Sequence, residues 1–144
     1  MAKFAIDFED CLDLGAMIDE LAGGEVVKRA VENALVETDK YVTAEVDKAV
    51  TSSKYNFNRT GNTKKSIDRD FSVEWEGSQA SVEAGFTISD GGLPSIFLMY
   101  GTPTIKPDTN LKNAAKGTGK HKKKIEEIQR EEFNKVINEV MSNG

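Results

Sequence analysis

The sequence predicts an α+β fold, with a long N-terminal helix and an amphipathic C-terminal helix packed on a small antiparallel β-sheet. Three observations predict it. Residues 25–51 contain no Gly or Pro and repeat apolar side chains at helical spacing. Residues 71–86 alternate apolar and polar side chains around a Gly77-Ser78 turn. Residues 121–141 carry a second helical stripe.

Each element follows in order. Phe4, Ile6 and Phe8 alternate with polar neighbours, the period-2 pattern of a short strand. Asp13 can cap a short helix through Leu21, which Gly23-Gly24 would end. In the long helix Val27, Val31, Leu35, Val42 and Ala49 form the stripe, with Ala30, Ala34 and Tyr41 beside it. At 1.5 Å per residue such a helix is roughly 40 Å long, so one end is expected to project. Residues 52–66 are polar and turn-rich and read as a mobile loop, as do residues 88–95 around Asp90-Gly91-Gly92. Between them Phe71, Val73 and Trp75 face Val82, Ala84 and Phe86 across a hairpin with one buried face, Trp75 included. Residues 116–120, Lys-Gly-Thr-Gly-Lys, read as a second flexible stretch. In the final helix Ile125, Ile128, Phe133, Val136, Ile137 and Val140 form the stripe, and Glu126, Glu127, Arg130, Glu131 and Lys135 the solvated side.

With 144 residues the chain is long enough for one domain and a modest core, and residues 1–144 are taken as a single unit. No apolar run approaches the roughly 20 residues of a bilayer span, and the N-terminus lacks an apolar h-region. Cys11 is the only cysteine, which fits a reducing compartment. Charge is unevenly spread. Residues 1–52 hold 12 acids and 5 bases, a net −7, whereas residues 105–124 hold 7 Lys and 1 Asp, a net +6. Such a chain can pair oppositely charged faces of neighbouring molecules.

The run Phe97-Leu98-Met99-Tyr100 ends abruptly in Gly101-Thr102-Pro103, as an apolar strand or helical turn meeting a stop. Gly101 permits backbone angles that a side chain forbids, and Pro103 fixes φ. A shaped loop without a catalytic group suits docking better than chemistry. The candidate partner-contacting residues are Tyr100, Gly101, Thr102, Pro103, Ile105, Lys106 and Pro107, with Lys120, Lys122, Lys123 and Lys124.

Enzymatic chemistry finds little support. His121, the only histidine, lies among lysines and lacks metal-ligand neighbours, and a Cys11–His121 nucleophile pair has no recognisable context. Asp7, Glu9, Asp10 and Asp13 lack calcium-loop spacing. Gly117-Thr118-Gly119-Lys120 is only a fragment of a phosphate loop, since His121 follows the Lys. No enzyme, cofactor or metal is therefore expected. The Lys112–Lys124 patch could contact phosphates, but neither Arg nor an aromatic residue is interleaved there for base reading or stacking.

Arg59-Thr60-Gly61-Asn62-Thr63-Lys64-Lys65-Ser66-Ile67 resembles the segment preceding the hairpin in tail-completion, or head–tail joining, proteins of long-tailed bacteriophages and prophages. Phe97–Pro103 resembles that family's aromatic-Gly-Thr element at the end of a strand, and Ile105-Lys106-Pro107 through Ala114 its proline loop and following Ala. The chain departs from the family at Asp108–Asn113 and in the Lys-rich residues 116–124. The resemblance implies a structural virion assembly protein that joins the tail to the head connector as a ring of identical subunits. Its partners would be itself, the connector and the tail tube or terminator, with incidental DNA contact and no membrane. It would reside in the tail or neck of the virion after assembly in the bacterial cytoplasm. The alternatives are a tail terminator capping the tube, or a small nucleic-acid-binding module using the Lys112–Lys124 patch.

Overall fold

In the computed structural model the described residues are 2–7, 24–51, 62–77, 79–87, 93–104 and 106–143. They form β1 (Ala2–Asp7), α1 (Gly24–Thr51), α2 (Asn62–Lys65), β2 (Glu74–Glu76), β3 (Gln79–Ala84), α3 (Leu93–Tyr100), α4 (Thr109–Lys116) and α5 (Lys120–Asn143). The fold is α+β. Phe8, Cys11, the expected helix from Asp13 to Leu21, residues 52–61, Ser78 and Asp90-Gly91-Gly92 lie outside the described residues.

The sheet is antiparallel, in the order β1-β3-β2. β1 pairs with β3 so that Phe4 faces Val82 and Ile6 faces Ala80. Because side chains alternate along a strand, this register sends Phe4, Ile6, Ala80 and Val82 to the α1 side. They meet Val31 and Leu35 there, with Val73, Trp75 and Phe133 at the margin. A second cluster joins Val42, Val46 and Val50 of α1 to Ile67, Ala84, Phe86, Leu98, Leu111, Ala114, Ala115 and Ile125. Phe4 touches both clusters.

α1 is thus the central element, packed by the sheet, α4 and α5. The expected projecting end is not seen among its described side chains. Ala30 and Val50 are both buried, and Arg29 forms an ion pair with Glu139 of α5 at 3.1 Å. The other elements cover the helix from Ala30 to Val50 because valine and alanine occupy more than one stripe of it. The α5 stripe packs as its periodicity predicts: Ile125 and Val136 are buried, Ile128, Phe133 and Ile137 partly so, and Glu126, Glu127, Arg130, Glu131 and Lys135 face solvent.

Three further expectations need correction. The hairpin ladder is shorter than its alternation suggests. β2 pairs only through Glu74–Glu76, and an isolated bridge joins Ile67 to Phe86. Between these two pairings residues 68–73 face residues 82–85, so the first side carries extra chain and bulges. Phe71 and Val73 therefore stand outside the strand, and Trp75 is only partly buried. Its indole N–H instead donates to Glu32 at 2.8 Å, and Lys28 lies over the ring.

The expected loops are partly helical. Residues 62–65 form α2, Ser66 is buried, and residues 93–95 open α3. Main-chain bonds from Asp68 to Gly85 and from Thr87 to Ser66 tie this segment to the end of β3.

Residues 116–120 form a fixed corner. Asp108 caps α4, accepting from the Leu111 N–H at 3.1 Å. Gly117 closes it in the left-handed region at φ 66°, while the Thr118 N–H bonds back to Asn113 at 3.0 Å. A Cβ on Gly117 would lie 2.6 Å from the Phe4 ring and 2.8 Å from Ile125. Gly119, at φ 63°, turns the chain into α5. These caps were legible as Asp108 and Gly117 flanking eight residues, but α4 was not expected.

Candidate docking surface

α3 is a short helix with two unlike faces. Ser95 and Leu98, three residues apart, are buried, and Leu98 reaches the core between Leu111 and the α1 valines. The intervening positions point outward. Ile96 is 39% exposed, Phe97 42% and Tyr100 51%, the exposed large apolar side chains of the described residues. Phe97 and Tyr100 are one turn apart and so share a face. Phe97–Tyr100 ends a helix rather than a strand, which departs from the family pattern. Helical spacing puts one side chain in three or four inward, and Leu98 alone anchors the run Ile96-Phe97-Leu98.

The helix stops at Gly101, whose φ is 78° and whose N–H bonds to the Phe97 carbonyl at 2.9 Å. The following loop is pinned at its far end, where the Asp108 N–H donates to the Leu98 carbonyl at 2.7 Å. Within it the Thr104 N–H donates to the Thr102 hydroxyl at 3.3 Å. Gly101 and Thr102 are partly buried, whereas Pro103, Lys106 and Pro107 are exposed. Ile105 lies outside the described residues.

The structure brings Tyr100 to the lysines. The Lys116 ammonium stands 4.9 Å and that of Lys112 5.2 Å from the centre of the Tyr100 ring. The two lysines are one turn apart on α4, which explains why both reach the same ring. The basic stretch therefore does have an aromatic partner, supplied from twelve to sixteen positions upstream by the α3–α4 turn. Lys120, Lys122, Lys123 and Lys124 follow on the first turn of α5, all exposed.

His121 is not part of that solvated ridge. It is 3% exposed, and its Nδ1 lies 2.9 Å from the Tyr41 hydroxyl. Burial holds the imidazole below its ordinary pKa, with Glu45 acting against that and Lys120 with it. Burial likewise raises the Tyr41 phenol, and Glu45 adds to it. The pair fastens the start of α5 to α1. Its one sequence signal was negative: a histidine amid lysines at the start of a helical stripe.

Elsewhere, an open groove of about 520 Å³ separates α1 from residues 69–71. Lys40, Lys48, Asp47, Arg69 and Phe71 line it. Its cations face acids of their own: Lys40 meets Glu37, Lys48 meets Glu45, and Arg69 meets Asp47 at 2.9 Å. Thr43, which also lines the groove, donates to Oδ1 of the fully buried Asp39, whose Oδ2 has no partner among the described residues. Burial pushes its carboxyl up to about 6, and Asp68 and Asp70 add repulsion against the Thr43 hydrogen bond.

Among the described residues no group of three metal-ligating side chains comes together, and no helix is long and apolar enough to cross a membrane. No protein-family model, no curated protein and no solved structure matches the chain.

Proposed function

We propose that the chain is a structural assembly protein that joins a phage tail to its head connector, acting by docking rather than by chemistry. One observation carries the reading: α3 exposes Ile96, Phe97 and Tyr100 on a helix anchored from behind by Leu98. Holding apolar surface in water is unfavourable, and a contiguous patch on a rigid support is the physical mark of an interface. The capped Gly101–Asp108 loop presents that patch without large ordering cost on binding. The order of motifs and helices that resembles head–tail joining proteins supports the same reading. In it, copies of the chain pack around the tail axis and the α3 face meets the connector or the next copy.

The test is in vitro joining of purified heads and tails, with light scattering to follow self-association. The variant Ile96→Ser/Phe97→Ser is expected to keep the wild-type circular dichroism and to lose joining. If the folded variant joins heads to tails as well as wild type, the docking assignment fails.

A further inference from the structure

Six lysines of the α4–α5 corner, Lys112, Lys116, Lys120, Lys122, Lys123 and Lys124, pair with no carboxylate among the described residues. The acidic half behaves differently, since Arg29, Lys40 and Lys48 each meet a Glu. Asp108, the one acid of residues 105–124, has its carboxylate committed to the Leu111 N–H at the start of α4. A net −5 chain thus carries, among the described residues, a concentrated positive corner whose ammonium groups meet no carboxylate. Beside its α4 lysines stands a half-exposed aromatic ring, Tyr100, with the ammonium groups of Lys112 and Lys116 over it.

We infer that this corner is a platform for single-stranded nucleic acid, with a base stacked on Tyr100 and the flanking phosphates held by Lys112 and Lys116. The inference goes beyond the docking role and does not depend on it. Stacking needs an exposed flat ring, and Tyr100 is the residue that offers one amid the lysines. At an exposed site the pull between ammonium and ring is weak, and lysine arms are flexible. The two ammoniums therefore swing from the ring to the phosphates when a base arrives. Lysine lacks the planar fork that reads base edges, so recognition is indifferent to sequence. Paired bases hide their faces in the stack, so single strands are favoured over duplex. An acidic polypeptide could answer the lysines but offers no planar face to Tyr100.

The test is fluorescence anisotropy of the full chain with labelled oligothymidylate, the matching duplex, and poly-glutamate as competitor, across a salt series. The single strand is expected to bind best and to weaken as salt rises. Tyr100→Leu should weaken it about tenfold, the scale of one base–aromatic stack, and leave duplex binding nearly unchanged. Tyr100→Trp should keep or tighten it. Lys112→Gln/Lys116→Gln should lower the log–log salt slope by about 1.4. All these positions are at the surface, so the fold is retained. Absence of binding at low ionic strength would overturn the inference, as would full binding by Tyr100→Leu. Equal or better competition by poly-glutamate would also overturn it and assign the corner to an acidic protein partner. The Ile96 and Phe97 variants leave this corner intact, so the docking reading and this one fail separately.

Discussion

Gly117 is held at once by its backbone and by its neighbours. A side chain there would need the left-handed region and would also strike Phe4 and Ile125. The first cost is about 1–2 kcal/mol and overpacking adds about 1–3 kcal/mol. Gly117→Ala is therefore expected to destabilise by about 2–5 kcal/mol, read by urea unfolding. An unchanged midpoint would show that the corner is soft. Tyr41→Phe removes the partner of a buried His121 nitrogen. Leaving such a group unmatched costs about 1–3 kcal/mol, so the same measurement should show a clear loss. Asp39→Asn acts in the other direction. It keeps an acceptor for Thr43 and removes a buried charge whose carboxyl sits at about 6 against an ordinary 3.8. At about 1.4 kcal/mol per unit, the variant should gain up to about 3 kcal/mol near neutral pH.

At the scale of an element, α3 separates structural from interaction roles in adjacent residues. Leu98 is 1% exposed and its neighbour Phe97 is 42% exposed. Leu98→Ala should cost about 2–5 kcal/mol through the cavity it leaves. Phe97→Ser should cost clearly less than Leu98→Ala, since its ring is 42% exposed and leaves no enclosed cavity. Thermal unfolding of the two variants checks this contrast, and a large loss for Phe97→Ser would place that ring in the core. The 68–73 bulge has a comparable division. Asp47 accepts from Arg69 and pairs with Lys64 at 3.2 Å, tying the segment to α1 where the β ladder does not.

For the whole molecule, two buried groups oppose each other in pH. Asp39 has its folded pKa raised, so the folded state holds the proton more tightly than the unfolded chain. Stability from this group is highest below 3.8 and falls as pH rises toward about 6. His121 has its folded pKa lowered below 6.5, so its contribution is lost as pH falls below that value. Acidification from neutral thus brings a gain from one site and a loss from the other. Between about pH 6 and 3.8 wild type should therefore lose less stability on acidification than Asp39→Asn, which lacks the compensating gain. Unfolding midpoints across the range decide it, and parallel profiles would remove Asp39 from the account.

The sequence by itself determined the α+β class, the long helix, the C-terminal stripe and the exposed face of α5, because periodicity reports burial wherever one face is buried along a whole element. It marked Tyr100 and the Gly-Thr-Pro stop as a surface feature, because a change from apolar run to turn residues is local. Tertiary structure decided the rest. Alternation in Phe71, Val73 and Trp75 could not show that the pairing shifts between Ile67–Phe86 and Glu74–Ser81, since register depends on both strands. Composition marked residues 116–120 as flexible, yet Phe4 and Ile125 crowd Gly117 from distant parts of the chain. The lysine patch lacked an aromatic in sequence and acquired one only when α3 and α4 folded against each other. Nothing local in the sequence marks His121 or Asp39 as buried, because their burial is imposed by α1 packing against its neighbours.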